Sequence, residues 1–237
     1  RRRSRRHGSI TPMLLSDATA FPVEHLEDRT LLSVTATLNG QQLEITLGAN
    51  NDHAFISFNG GLKVGTTASG TDVFSGSLAQ TISSIAILQT ASTSGQQVTF
   101  SGSNPISGSD GTAASGLSSI SIAAGITTVN LQQVLNASSV AGSATTVNLA
   151  STGRLQTAVH LAASSGATIA VAAADYTGEG TVVVSSKTIT ITGPQANTSP
   201  NSTPASWTTN SALARIARFS VDGTGGLTLN GLRLLGD

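Results

Sequence analysis

A strand-like sequence occurs twice in this chain, 18 residues apart. Residues 127–131 and 145–149 both read TTVNL, and SSIAI at 83–87 recurs as SSISI at 118–122. Apolar and polar residues alternate in each copy, as expected for a β-strand with one buried face. One such strand cannot bury its own face, so the copies must stack. The repeats therefore predict a β-solenoid or another layered β-structure, with a β-sandwich as the alternative.

The composition agrees with an all-β fold. Charged residues are 10% of the 237 residues and aromatics 3%, whereas about 25% charged is usual for globular domains. Such a chain is a poor candidate for a helical bundle and suits short strands joined by tight turns. The absence of cysteine excludes disulfides, thiolate metal sites and cysteine nucleophiles.

The charges are unevenly placed, although the formal net charge is zero. Five arginines occupy the first six positions, and without them the remainder carries a charge of about −5. A nucleic-acid partner is therefore not expected, and the arginine cluster favours the basic part of an export signal. A local nucleic-acid arm is the alternative. No apolar run approaches the roughly 18 residues of a transmembrane segment.

Residues 23–33 read VEHLEDRTLLS. This segment resembles the LEPR-XLL motif that follows an arginine-rich leader in very large exported proteins of planctomycete-type bacteria. The motif residues in this chain are Leu26, Glu27, Asp28, Arg29, Leu31, Leu32 and Ser33, with Asp28 in place of the usual proline. The resemblance implies that residues 1–33 are a basic, largely disordered export or sorting segment. The alternative is a short amphipathic helix packed on the next domain.

Residues 34–152 read as a β-rich Ser/Thr/Gly repeat region. Asn39-Gly40 predicts a hairpin turn, and the alternation that follows should place Leu43, Ile45 and Leu47 on one face.

Residues 153–237 combine a helical segment with further strands. Residues 155–163 carry an apolar stripe at helical spacing, and Gly166 follows as a stop signal. The region resembles the N-terminal cap and first coils of a pectin-lyase-like right-handed parallel β-helix. The matching residues are Leu155, Gln156, Ala158, Val159, Ala162, Gly166, Tyr176, Thr177, Ile189 and Gly193. The resemblance implies a short helix capping the open end of the coils, with the β-helix continuing beyond Asp237. A cap at that point favours residues 34–152 as a separate unit.

The sequence offers no assignable catalytic group. It lacks a nucleophile elbow and a phosphate-binding loop, and its four histidines have no zinc-like spacing. The acids of the last region are Asp175, Glu179, Asp222 and Asp237; they form no evident pair, and we interpret the first two as turn residues. We expect no cofactor and no metal site, with adventitious Ca²⁺ binding as the alternative.

Trp207 is a candidate glycan contact, the alternative being a loop anchor packed on the helix. The expected function is the non-catalytic N-terminal portion of an exported, cell-surface or secreted β-helix protein with a structural, adhesive or glycan-interacting role. Its partners would be polysaccharide or cell-envelope components. The alternative is the leader and cap of a secreted polysaccharide lyase or glycoside hydrolase whose catalytic residues lie beyond Asp237.

Overall fold

The computed structural model describes residues 34–68, 73–90, 93–194 and 214–234 of the chain. Over these ranges the protein is all-β with one short α-helix. The elements before the helix are β1 (Val34–Asn39), β2 (Gln42–Leu47), β3 (His53–Phe58), β4 (Leu62–Gly65), β5 (Phe74–Ser75), β6 (Thr81–Ile82), β7 (Ser84–Gln89), β8 (Gln96–Ser101), β9 (Gly108–Asp110), β10 (Ala114–Ser115), β11 (Leu117–Ile122), β12 (Ile126–Leu131), β13 (Ala137–Ala141) and β14 (Thr146–Leu149).

The helix is α1 (Leu155–Leu161). After it come β15 (Ser165–Val171), β16 (Ala174–Asp175), a 3-10 turn (Thr177–Glu179), β17 (Thr181–Ser185), β18 (Thr188–Thr192), β19 (Ala214–Ile216), β20 (Arg218–Asp222), β21 (Gly226–Asn230) and β22 (Arg233–Leu234).

Most strands pair in parallel, because successive passes of the chain add new strands, in the same direction, to the same sheets. A nine-stranded sheet has the order β21-β18-β15-β14-β12-β8-β3-β4-β5, and a five-stranded sheet has the order β1-β2-β7-β11-β13. From β2 to β14 the chain passes alternately from the five-stranded to the nine-stranded sheet. After α1, parallel pairs β17-β20 and the sheet β16-β19-β22 replace the five-stranded sheet. A small antiparallel sheet has the order β10-β9-β6.

The sequence repeats pair with one another, as predicted. The two TTVNL copies lie side by side in β12 and β14, with Val129 opposite Val147 and Leu131 opposite Leu149. The SSIAI and SSISI copies pair in the same way in β7 and β11. The predicted hairpin at Asn39-Gly40 joins the antiparallel strands β1 and β2.

The core consists of apolar rows that run across the stacked strands. Leu43, Ile45 and Leu47 are fully buried, as the alternation in β2 predicts. In the nine-stranded sheet, Val147, Ile169 and Ile191 are aligned on neighbouring strands, and each is completely inaccessible to solvent. Each strand thus buries its apolar face against strands from earlier and later parts of the chain.

The early edges of both large sheets end in antiparallel strands. β1 pairs antiparallel with β2, and β4 and β5 extend β3 in the same manner. The last strands differ, because they pair in parallel: β20 with β17, β21 with β18 and β22 with β19.

The expectation that a capping helix separates residues 34–152 from 153–237 is wrong. β14 pairs directly with β15 across the helix, so one sheet runs through both segments, and the described residues belong to one compact unit. The helix instead lies at the side of the stack, where it contacts β13, β14, β15 and β17. Along the chain, the helix follows β13, the last strand of the five-stranded sheet, and precedes β17, the first strand of the β17-β20 pair.

Candidate functional site

Helix α1 receives its N-terminal cap from a later part of the chain. Arg154 stands at the N-cap position and makes no side-chain capping bond. The carboxylate of Glu179 accepts hydrogen bonds from the amides of Leu155 (2.6 Å) and Gln156 (3.0 Å) instead. A negative group at this position also opposes the positive end of the helix dipole.

The other end of the helix is held by a cation. Lys187, in the turn between β17 and β18, donates from Nζ to the carbonyls of Val159 (2.9 Å), His160 (3.0 Å) and Ala162. Burial lowers the pKa of Lys187. The carboxylate of Glu179 and the ammonium group of Lys187, both from the segment after the helix, therefore hydrogen-bond the two ends of α1.

A cleft of about 590 Å³ opens beside the N-terminus of α1. Its charged and titratable lining residues are Arg154, His160, Asp175, Tyr176 and Glu179. Both carboxylates in it already hydrogen-bond other groups of the protein. Glu179 caps the helix, and Asp175 accepts from the amide of Thr177 (3.0 Å) and contacts Arg215 (2.6 Å).

The environment shifts the pKa values of groups in this cleft. Hydrogen bonds from the hydroxyl and amide of Thr177, and also the Arg215 charge, hold the pKa of Asp175 below its ordinary value. Burial, with a further contribution from Glu179, raises the pKa of Tyr176 to about 12. The Tyr176 hydroxyl donates to the carbonyls of Ala150 and Ala172, both at 3.3 Å. Tyr176 is 3% exposed and is therefore a structural residue.

His160 lies at the edge of the same cleft. Its Nε2 is 3.0 Å from Nε2 of Gln156, and burial, together with the Lys187 charge, lowers its pKa. The side chain of His160 is thus hydrogen-bonded within its own helix, to the residue four positions earlier.

The outer face of the nine-stranded sheet carries two rows of polar side chains. One row is formed by aligned threonines on five successive strands: Thr128, Thr146, Thr168, Thr190 and Thr228. The neighbouring row is formed by Asn130, Asn148, Ala170, Thr192 and Asn230. Neighbouring strands are about 4.8 Å apart, so the rows present hydroxyl and amide groups at a regular spacing.

Hydrogen bonds between strands order one end of this face. Asn148 donates to Asn130 Oδ1 (2.7 Å), and Asn130 donates to Thr99 Oγ1 (3.0 Å). Thr99 Oγ1 also lies 2.7 Å from Nε2 of His53, whose ring stacks on Phe55. These hydrogen bonds link side chains of four neighbouring strands, β14, β12, β8 and β3.

A shallow groove of about 380 Å³ interrupts the second row. It lies where Ala170 replaces an asparagine, and its lining includes Asn148 and Thr192 on either side. The face thus combines a flat threonine row with an apolar depression flanked by polar groups.

Sequence reasoning missed a buried polar cluster in the turn after β2. Asp52 is completely buried, and its carboxylate accepts from the amides of Gly48 (2.9 Å) and Ala49 (2.8 Å). Gln96 is also completely buried and donates to the carbonyls of Leu47 and Ala49. The Asn-Asn-Asp sequence indicates a turn, but the partner from β8 has no local signal.

Several sequence predictions fall outside the described residues. The motif residues Leu26 to Ser33 and the candidate glycan contact Trp207 lie there, as does Asp237. Within the described ranges, no group of three His, Asp or Glu side chains could hold a metal ion. In the same ranges no helix is long and apolar enough to cross a membrane.

Comparisons with known proteins identify no relative. No protein family model, no curated protein and no solved structure matches the chain.

Proposed function

We propose that this chain belongs to an exported, cell-surface or secreted parallel β-helix protein with a structural or adhesive role, and that it contacts polysaccharide. The observation that carries the proposal is the polar outer face of the nine-stranded sheet, with its aligned threonine row. The arginine-rich start and the LEPR-XLL-like segment support export.

The repeated passage of the chain between the same sheets supports the β-helix. Each pass from β7 onward adds one strand in parallel to the nine-stranded sheet, and apolar residues align above one another. We propose the right-handed form because of the pectin-lyase-like pattern in residues 153–237. In such a fold the stacked passes make a stiff support, and the outer faces are available for contacts.

The polar face suits a neutral, hydroxyl-rich polymer. Its two rows contain threonine and asparagine side chains and no charged residue between β12 and β21. Hydroxyl and amide groups both donate and accept hydrogen bonds, as sugar hydroxyls do. An extended polysaccharide lying across the strands could therefore contact several equivalent groups, each adding a small contribution through multivalency.

Binding of the purified chain to insoluble neutral polysaccharides, such as cellulose and chitin, tests this proposal. Thr146→Lys and Thr168→Lys place a long charged side chain in the middle of the threonine row. Both residues are outward-facing and partly exposed, so the variants should fold. We expect each to weaken binding about tenfold, equivalent to about 1.4 kcal/mol.

Ser119→Lys and Ser139→Lys are the matched controls. These serines are aligned on β11 and β13 of the five-stranded sheet and should leave binding unchanged. Failure to bind any neutral polysaccharide, or equal losses in both sets of variants, would overturn the glycan role. Surface location is tested on intact producing cells, which should bind an antibody against the chain without permeabilisation.

A carbohydrate-active enzyme is the second candidate, and the cleft beside α1 favours it. The cleft is large enough for a sugar residue and brings together Arg154, His160 and two carboxylates. Cleavage of polygalacturonate, with and without Ca²⁺, separates the two candidates. Unsaturated or hydrolysed product from the purified chain would support the enzyme and contradict the non-catalytic role.

A further inference from the structure

A ladder of side-chain hydrogen bonds on the outer face of the nine-stranded sheet stops at Ala170. Asn130 donates from Nδ2 to Oγ1 of Thr99 (3.0 Å), and Asn148 donates from Nδ2 to Oδ1 of Asn130 (2.7 Å). Each amide thus donates to the strand before it, and Oδ1 of Asn130 accepts from the strand after it. The next aligned position, on β15, is Ala170, which has no amide to continue the ladder.

The interruption leaves a hydrogen-bond acceptor facing a gap. Nδ2 of Asn148 is directed to β12, so Oδ1 of the same amide is turned toward the strand of Ala170, and it has no partner among the described residues. On the far side of Ala170, the hydroxyl of Thr192 on β18 also has no hydrogen-bond partner in the described part of the chain. β14 and β18 are two strand spacings apart, about 9.6 Å. One amide group placed between them would reach both sides.

The space over Ala170 is the groove of about 380 Å³. Its lining contains Asn148 and Thr192 together with small apolar residues that include Ala150, Ala170 and Ala172. Asn148 is exposed, and Ala170 and Thr192 are half-buried, so a ligand can enter the groove from solvent. A group that fills it needs an N–H for Asn148, an acceptor for the Thr192 hydroxyl and an apolar part for the alanines.

We propose that this groove binds the acetamido group of an N-acetylated polysaccharide such as chitin, in place of the missing asparagine side chain. An acetamido group is a planar, trans secondary amide, so its N–H and C=O point in opposite directions. The N–H donates to Asn148, the C=O accepts from Thr192, and the methyl group packs over Ala170. The assignment rests on the glycan-binding role proposed above and adds to it a preference among neutral sugars. A glucose unit carries only a hydroxyl at this ring position, which is too short to reach both strands.

Affinities for chito-oligosaccharides and cello-oligosaccharides of equal length test this preference, because the two sugars differ only in the acetamido group. Isothermal titration calorimetry of the full chain should show the chito-oligosaccharide bound about tenfold more tightly, as two additional hydrogen bonds allow. Ala170→Asn restores the amide and fills the groove, so the affinity ratio should fall to about one while cello-oligosaccharide binding is unchanged. Ser139→Asn, at an exposed position of β13, is the matched control and should keep the ratio.

A second pair of variants tests the donor. Thr192→Val removes the hydroxyl at nearly unchanged shape and should reduce the affinity ratio about threefold or more. Thr190→Val is the matched change two residues earlier on the same strand, in the threonine row. It should weaken the binding of both sugars alike and leave their ratio unchanged. Circular dichroism establishes that every variant is folded.

The outcomes separate this groove from the general glycan role. Equal affinity for both sugars, or a preference that survives Ala170→Asn, would overturn the acetamido site and leave the glycan role standing. Binding of neither sugar would overturn both. A Gly-Ser oligopeptide offers the same N–H and C=O groups without a sugar, and it should not bind. Peptide binding as tight as that of the chito-oligosaccharide would overturn the assignment to a sugar.

Discussion

Replacing Glu179 by glutamine should destabilise the protein substantially, because this one carboxylate caps α1. Glu179 accepts two amide hydrogen bonds at 2.6 and 3.0 Å, and the helix has no side-chain cap of its own. Hydrogen bonds to charged groups contribute about 1.5–3 kcal/mol each. Glutamine keeps one carbonyl oxygen, but it loses the charge and turns an NH₂ group toward a helix amide.

At least one charged hydrogen bond is therefore lost, and the free energy of unfolding should fall by about 2 kcal/mol. For a chain of this size that corresponds to a decrease in Tm of about 4–8 °C. Urea denaturation followed by far-ultraviolet circular dichroism measures the first quantity, and calorimetry the second. Glu44→Gln, a change on the outer face of β2, is the matched control and should stay within about 0.5 kcal/mol of wild type.

The opposite end of the helix gives an independent check. Lys187→Met removes the cation that contacts three helix-terminal carbonyls and should also cost about 2 kcal/mol. If the ends act separately, the two losses should add within about 0.5 kcal/mol. The double variant Glu179→Gln/Lys187→Met measures this additivity. If it loses less stability than the two single variants together, either change alone already releases the whole helix. If Glu179→Gln costs no more than Glu44→Gln, the capping argument is wrong.

Two further predictions concern histidine titration and a crowded glycine. Burial lowers the pKa of His160, so its stabilising contribution is complete above the unfolded value of about 6.5 and is lost as pH falls through the folded value. His160→Asn should reduce the slope of unfolding free energy against pH between about 5 and 7, and an unchanged slope would contradict this. At Gly193 a Cβ would lie 2.2 Å from the carbonyl oxygen of Gly231, whereas Gly178 faces open space. Gly193→Ala should therefore cost about 2 kcal/mol in urea denaturation and Gly178→Ala about 0.5 or less; equal effects would refute the close contact.

The strands could be predicted because their signals are local. The alternation in β2 depends only on side chains pointing to opposite faces, and Leu43, Ile45 and Leu47 are all buried. The verbatim repeat also fixed its own pairing partner, because equal sequences stack with equal residues side by side. Thr128 thus lies opposite Thr146. The threonine row could have been inferred by extending that register to the later strands.

The position and capping of α1 could not be predicted in the same way. The apolar stripe of Leu155, Ala158 and Val159 indicates a helix, but it does not say whether the helix lies at an end or at a side of the stack. Glu179 lies 24 residues from the amide it caps. Its sequence neighbours form a turn, so the sequence indicates only a turn residue at this position. Contacts between successive passes depend on the length of each pass, which the sequence leaves open.

The way in which α1 replaces a strand explains why it does not end the stack. Gln156 accepts from the amide of Val183 (2.7 Å) and donates to its carbonyl (3.0 Å), so the inner edge of β17 is paired. At the other end, Ala144 donates to the carbonyl of Leu161 (3.0 Å) and accepts from the amide of Ala163 (2.8 Å). One backbone position on each side of the helix, Val183 in β17 and Ala144 before β14, therefore has both of its peptide groups hydrogen-bonded by the helical segment. The nine-stranded sheet continues past the helix, from β14 to β15. On the other side of the stack, the five-stranded sheet ends with β13 before the helix, and the β17-β20 pair begins after it, so the helix lies where one sheet is replaced by another.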